Sequence, residues 1–312
     1  MDAPAVNSRL KADPALEMSQ RLPQALEDYL RYHRIQGSTE ATVKFYAKEL
    51  RLFLNDLDPA CQAVADLNSR HVLNHLAAMK ERELKPRSIR TRCQAIKTWL
   101  NWCVEWNLIE SSPAAKIKAP KVPRTRKPFI SEKQFSALLE LCPLNTFAGA
   151  RRQAMLWMMA TTGIRRNEMW MLEKKDLDWD ASTIREIHGK GQKERKIPFD
   201  RRCQLAMLRY IQQRSDTLDW LWVTEEGVRL GYDGIWKDLR RIADRAGVAL
   251  QDTCHIFRRT FAANAVRQNI PRPYVKAVAG WSTMQMLDLY VEAMEAEEGA
   301  IEAFREFKPF RK

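Results

Sequence analysis

Apolar residues recur three and four positions apart along most of the chain, and this α-helical period constrains the fold more than any other feature. The first stripe consists of Leu22, Ala25, Leu26, Tyr29 and Leu30, and others lie within 43–54, 72–76 and 89–103. Between residues 176 and 198 the period changes to that of short strands. The strand-like segments are 177–179, 184–188 and 195–198. The sequence therefore predicts a mainly α fold with a small antiparallel sheet.

Local signals mark several helix boundaries. Ser69 precedes a stripe and is a predicted N-cap, and Ser131 with Gln134 has the spacing of a capping box. Gly163 is expected to end one helix, and Arg165 to open the next. A helix start beside two arginines favours an anion, so we expect the region of Arg165 to attract one.

The 312 residues suffice for about two domains. We predict a polar tail at 1–19, a helical domain at 20–115, a basic linker at 116–128 and a larger, mainly helical domain at 129–312. The linker carries Lys, Arg and three prolines but no acid, and proline keeps such a segment extended.

The chain has 52 Lys and Arg against 39 Asp and Glu, a formal charge of +13, which favours nucleic acid as the partner. The fourth predicted helix presents basic residues without an interleaved acid, and the linker is also basic. An ordinary solvated face is the alternative. The candidate DNA contacts are Lys85, Arg87, Arg90, Arg92 and Lys97 on the helix, and Lys118, Lys121, Arg124, Arg126 and Lys127 on the linker.

Other classes are disfavoured by composition. No apolar run reaches the roughly 18 residues of a membrane span, and the N-terminus does not resemble a secretory signal. The six cysteines are scattered without a Cys-x-x-Cys pair, so buried free thiols are expected and a structural metal is not. These features predict a cytoplasmic protein that does not engage a membrane.

Four clusters in the larger domain contain reactive side chains. Each has an ordinary explanation when taken alone: a surface salt bridge, a solvated hairpin lysine, a core histidine or a core tyrosine. The residues concerned are Arg165 with Glu168, Lys190, His255 with Arg258, and Trp281 with Tyr290.

In this order and spacing the clusters resemble the tyrosine recombinase (phage integrase) family. The matching text is Thr-Gly-Ile-Arg-Arg-Asn-Glu, Gly-Lys-Gly-Gln-Lys-Glu-Arg-Lys-Ile-Pro, His-Ile-Phe-Arg-Arg-Thr-Phe-Ala and Ala-Gly-Trp-Ser before Tyr290. The likeness spans about residues 20–306. Trp281 stands where most bacterial members have His, Arg259 where His is frequent, and Asn167 replaces the usual Ser or Gly. None of these departures removes an essential group.

The resemblance implies a core-binding, SAM-like DNA-binding domain at 20–115 and a catalytic domain of the DNA breaking-rejoining fold at 129–312. Tyr290 would be the nucleophile and form a 3′-phosphotyrosine, while Arg165 and Arg258 clamp the phosphate. Lys190 would protonate the leaving 5′-oxygen, and His255 would exchange a proton with Tyr290 or donate to phosphate. Trp281 would donate a hydrogen bond to phosphate, and Glu168 would support the Arg165 loop. No metal, ATP or other cofactor is implied.

The implied function is site-specific recombination of double-stranded DNA, with a tetramer on DNA joined through the amphipathic segment 292–305. Integration, excision or resolution of a mobile element is the favoured role. The alternatives are a chromosome-dimer resolvase of the same family, a type IB topoisomerase-like enzyme and a non-catalytic DNA-binding regulator. The intact set of reactive groups argues against the last, and the separate helical domain against the topoisomerase.

Overall fold

The structure, a computed structural model, describes residues 21–122, 128–186, 195–250, 253–285, 287–288, 291 and 305. Within these ranges the chain forms eleven α-helices and one three-stranded antiparallel sheet. The predicted fold class is therefore confirmed. The chain divides into two compact units, Met1–Arg124 and Thr125–Lys312.

The first unit is a small helical domain with one apolar core. Its helices are α1 (Leu22–Ile35), α2 (Glu40–Asn55), α3 (Ser69–Glu81) and α4 (Pro86–Glu105). The N-cap of α3 is Asn68, whose side chain accepts from two backbone N–H groups, so the prediction of Ser69 as cap is wrong. The Ser69 hydroxyl instead donates to the carbonyl of Pro113 at 2.7 Å. The core packs the apolar stripes together around Trp99, which is fully buried.

The second unit surrounds a small sheet with helices. Its helices are α5 (Glu132–Glu140), α6 (Phe147–Thr162), α7 (Arg166–Met171), α8 (Arg201–Gln212), α9 (Tyr232–Arg245), α10 (Thr253–Arg267) and α11 (Arg272–Ala279). Its strands are β1 (Leu177–Asp178), β2 (Thr183–Glu186) and β3 (Arg195–Pro198), in the spatial order β1-β2-β3. Ile184 on β2 pairs with Ile197 on β3, and both side chains are fully buried. The predicted capping box of Ser131 and Gln134 is present.

Helix α6 positions the loop that carries Arg165. It is buried on most of its surface because small and apolar residues occupy all sides of it, the pattern of a core helix. It ends at Gly163, which has a φ of +58°, a left-handed conformation that glycine adopts at little cost. The predicted helix end at Gly163 and helix start at Arg165 are confirmed.

A separate apolar cluster joins α10 and α11 to the segment that follows them. Val275 and Ala279 of α11 pack there with Trp281, Leu287 and Val291.

All six cysteines are free thiols, and all but Cys61 are buried. No helix in the described ranges is both long and apolar enough to cross a bilayer.

Candidate active site

Arg165 is held at the start of α7 by contacts from two directions. Its backbone N–H donates to Glu168 Oε2 at 2.9 Å, and its guanidinium pairs with Glu168 Oε1. Nη2 donates to the carbonyl oxygen of Gly280. The side chain is still 37 % exposed. The salt bridge with Glu168 that the sequence suggested is therefore present, and the exposed part of the guanidinium is left over for an external anion.

Arg258, on α10, is almost completely buried. Its guanidinium donates to the carbonyl of Gly163 and, at 2.8 Å, to that of Ala279. The guanidinium carbon also lies 5.4 Å from the centre of the Trp281 ring. Carbonyl acceptors compensate the loss of hydration of this buried charge. Arg258 therefore joins the end of α6 to the end of α11.

Arg195, the first residue of β3, is a member of the site that the sequence analysis missed. Nη2 donates to Glu168 Oε2 at 2.8 Å and Nε to the carbonyl of Val278 at 2.9 Å. The side chain is 15 % exposed. One signal could have found it: alternation along a strand puts Arg195 on the same face as buried Ile197.

Three arginines from different elements thus converge on the C-terminal end of α11. The last carbonyls of a helix lack intrahelical donors and carry partial negative charge. Here the successive carbonyls of Val278, Ala279 and Gly280 accept from Arg195, Arg258 and Arg165 respectively. Both proposed clamp arginines are therefore oriented by one stretch of main chain.

Gly280 is required at this place for two reasons. Its φ is +66°, and a Cβ there would lie 2.6 Å from Cζ of Arg195. A side chain would therefore be strained in its backbone and would also collide with a guanidinium. The absence of a side chain lets Arg195 approach α11.

Glu168 balances part of this positive charge. Burial alone would raise its pKa, but hydrogen bonds from Arg165 and Arg195 outweigh burial and lower the pKa to about 2. The carboxylate is therefore ionised at neutral pH and pairs with both arginines at once.

Trp281 packs inward and is 9 % exposed. Its backbone N–H donates to the carbonyl of Lys276 at 3.1 Å, which closes the end of α11. Its cluster partners Leu287 and Val291 stand three positions before and one after Tyr290 in the sequence.

His255 is exposed on α10, one turn from buried Arg258. Lys190 and Tyr290 lie outside the described residues.

The proposed DNA-contact residues of the first unit differ in exposure. Lys85, Arg87 and Arg90 are exposed, and Lys85 and Arg87 line a hollow of about 350 Å³ at the start of α4. The expectation of exposure is wrong for two others, because tertiary partners partly bury them. Arg92 pairs with Glu49 at 2.7 Å, and Lys97 donates to the carbonyl of Ile117 at 2.8 Å.

The linker residues of the candidate set fall into two groups. Lys118 and Lys121 are exposed, whereas Arg124, Arg126 and Lys127 lie outside the described residues. In the part of the chain that the structure covers, His, Cys, Asp and Glu side chains form no group of three or more that could hold a metal ion.

Residues 128–297 match the phage integrase family, and residues 26–106 match the phage integrase N-terminal SAM-like domain. The chain therefore belongs to the phage integrase family, the tyrosine recombinases, and the resemblance seen in the sequence is confirmed.

Relatives match over most of their length. Tyrosine recombinase XerC of Oceanobacillus iheyensis is 26% identical over 276 residues, which cover 85% of this chain and 90% of the relative. Tyrosine recombinase XerA of Thermococcus kodakarensis is 24% identical over 272 residues, 86% of this chain and 90% of the relative.

Solved structures share the fold. The Tn1549 transposon integrase in complex with a circular intermediate DNA has a TM-score of 0.73 at 16% identity, covering 91% of this chain and 100% of that one. A lambda integrase tetramer bound to a Holliday junction has a TM-score of 0.70 at 13% identity, covering 89% and 83%.

Proposed function

We propose that the protein is a site-specific DNA recombinase that cuts and rejoins strands through a covalent 3′-phosphotyrosine at Tyr290. The observation that carries this proposal is the convergence of Arg165 and Arg258 on the C-terminal end of α11. That helix end leads directly into Trp281 and the apolar cluster that includes Leu287 and Val291. The family match supports the same chemistry.

In the cleavage step the Tyr290 hydroxyl oxygen attacks phosphorus and the bond to the 5′-oxygen breaks. The electron pair of that bond passes to the 5′-oxygen, which Lys190 protonates. His255 accepts the tyrosine proton; in the alternative in which His255 donates to the phosphate, that proton passes to solvent. Trp281 can only donate through its indole N–H. The phosphotyrosine conserves the energy of the cleaved bond. Another 5′-hydroxyl attacks its phosphorus, the bond to the Tyr290 oxygen breaks and the phenol is released and reprotonated, so the strands rejoin without metal or ATP.

The arginines stabilise the charge that develops on the non-bridging oxygens. A guanidinium has five N–H donors, and the contacts of Arg165 with the described residues use two of them. Its exposed side chain can therefore donate to phosphate while it stays anchored. Preorganised donors of this kind act without reorganisation at the moment of reaction.

Both units are proposed to contact double-stranded DNA at a specific recombination site. The charge of +13 and the exposed Lys85, Arg87 and Arg90 support phosphate contacts by the first unit. Lys118, Lys121 and the other basic linker residues would extend them. The lambda integrase relative was solved as a DNA-bound tetramer, which supports assembly on DNA. We assign subunit docking to residues 292–305, and the site of action to the cytoplasm, on the nucleoid.

Two roles in the cell fit this chemistry. Recombination of a mobile element agrees with Trp281 and with the fold shared with a transposon integrase. Resolution of chromosome dimers is the second candidate, favoured by the XerC and XerA relatives. Repeats that flank the gene would indicate the mobile element.

Covalent capture of DNA tests the proposed chemistry and identifies the target sequence in the same experiment. The full chain is incubated with sheared chromosomal DNA of its source cell, and SDS-resistant adducts are recovered and sequenced. A nicked duplex built on the recovered sequence then traps the cleaved state. We expect adducts in the presence of EDTA, none with Tyr290→Phe and few with Arg165→Ala.

The outcomes separate the alternatives. Adducts that persist in Tyr290→Phe would show that the nucleophile is wrong. DNA binding by the wild-type chain without adducts would favour a non-catalytic regulator. Adducts and relaxation without strand exchange between two sites would indicate a topoisomerase-like enzyme.

A further inference from the structure

We propose that Arg195 is a positioning residue for strand cleavage, which holds the Glu168 carboxylate and through it the Arg165 guanidinium. The inference rests on the proposed function, because it concerns the same reaction. Arg195 and Arg165 come from different elements, and both bond to the Glu168 carboxylate, which links the two guanidinium groups.

The contacts show how Glu168 is shared. Oε2 accepts from the Arg165 backbone N–H at 2.9 Å and from Arg195 Nη2 at 2.8 Å, while Oε1 pairs with the Arg165 guanidinium. Nη1 of Arg195 is also 3.4 Å from Oε1. Arg195 therefore contacts both carboxylate oxygens and competes with the Arg165 side chain for them. Without Arg195, the carboxylate is free to form a bidentate pair with Arg165.

Charge at the site leads to the same conclusion. Arg165, Arg195 and Glu168 together carry a net charge of about +1, which attracts a phosphate. Removal of Arg195 leaves one arginine and one carboxylate, a pair without net charge. Arg165 would then be both displaced and neutralised.

The Arg195 side chain is itself held in place by main chain. Nε is bonded to the Val278 carbonyl, and the lack of a side chain at Gly280 gives the guanidinium room beside the helix end. Arg258 donates to the next carbonyl along the main chain, that of Ala279, and Arg165 donates to the one after it, that of Gly280. Arg195 thus sets Glu168 relative to the point where both clamp arginines are anchored.

The test compares cleavage of two nicked substrates built on the captured sequence. One has a phosphate at the scissile position, and the other has a methylphosphonate, which lacks the negative charge that a guanidinium neutralises. Single-turnover rates of adduct formation and the Kd for DNA are measured for the wild-type chain, Arg195→Ala and Arg195→Gln. Lys196→Ala is the matched control, because it removes one positive charge from the exposed face of the same strand.

We expect Arg195→Ala and Arg195→Gln to slow cleavage of the phosphate on the order of 100-fold, as a small misplacement of a catalytic group does. On the methylphosphonate the loss should shrink to about threefold or less, with the Kd for DNA nearly unchanged, because Arg165 is needed less there. Lys196→Ala should cleave both substrates at the wild-type rate. In an Arg165→Ala background, Arg195→Ala should add little, since both act through one group.

Equal losses on both substrates would overturn the inference, as would a full additional loss in the Arg165→Ala background. A wild-type rate in Arg195→Gln would do so as well, and this variant retains a side chain of similar length if Arg195→Ala does not fold. Failure of the proposed function has a different signature, because the wild-type chain itself would then form no adduct through Tyr290.

Discussion

Nη2 of Arg258 lies 2.8 Å from the carbonyl oxygen of Ala279, the middle one of three successive carbonyls that each accept from an arginine. A helix C-terminus is favourable for cations, and here it holds three of them in a fixed order. The charge proposed to bind phosphate is therefore oriented by the main chain at the end of α11, and the next residue of that main chain is Trp281.

Gly280→Ala should impair both stability and cleavage. The left-handed backbone costs roughly 1–2 kcal/mol for a residue with a side chain, and the new Cβ would displace Arg195. Gly247→Ala is a matched control, because Gly247 has a φ of +64° and nothing within 4 Å of its would-be Cβ. The midpoint temperature of thermal unfolding should fall in both variants, but the cleavage rate should fall only in Gly280→Ala. Equal cleavage rates in the two would contradict the role assigned to the contact.

Asp238→Ala should strongly destabilise the second unit. The buried carboxylate accepts from Arg151 at 2.8 Å and from Arg152 at 2.7 and 2.9 Å. Removing one partner of a buried pair leaves an uncompensated charge and costs about 3–5 kcal/mol. Asp233→Ala, which breaks an exposed pair with Arg166, should cost less than about 1 kcal/mol. Urea unfolding measures the loss of unfolding free energy in each variant. Similar losses in the two would contradict the difference expected between a buried and an exposed ion pair.

Glu168→Gln should change how stability depends on pH. The pKa of Glu168 is lowered from 4.5 to about 2, so the ionised form stabilises the native state fully above about pH 5. That contribution is lost as the pH falls through the folded pKa. The difference in unfolding free energy between wild type and variant should therefore be constant from pH 6 to 8 and narrow toward pH 2. A gap that does not vary with pH would mean that the carboxylate is not favourably paired.

Combined Arg87→Ala and Arg90→Ala should make DNA binding less dependent on salt. Each phosphate contact releases counterions, so the slope of log K against log salt should decrease in magnitude by about two. Lys175→Ala is the control, because that exposed lysine already pairs with Glu173 at 2.6 Å. An unchanged slope in the double variant would mean that Arg87 and Arg90 do not contact phosphate and belong to an ordinary solvated helix face.

The sequence predicted the fold class because helical periodicity and glycine caps are local signals. The end of α6 at Gly163 and the capping box of Ser131 depend only on neighbouring residues, and both were predicted correctly. The clusters of the candidate site were recognisable because their order along the chain resembles a family.

Tertiary contacts explain what the sequence could not predict. Arg92 was expected on an exposed face, but its partner Glu49 comes from α2, 43 positions earlier by number. The partner of Lys97 is a carbonyl 20 positions later. Arg195 was overlooked because it lies in a run of charged residues and its acceptors, Glu168 and Val278, are remote in sequence.

Because α11 offers its backbone oxygens rather than its side chains, the amino acids at two of the three accepting positions are free to vary. An apolar helix former that packs against the core keeps the acceptor at 278, and a small apolar residue keeps it at 279. Natural drift within those limits would leave the arginine cluster intact, whereas a side chain at position 280 would strain the backbone and displace the Arg195 guanidinium.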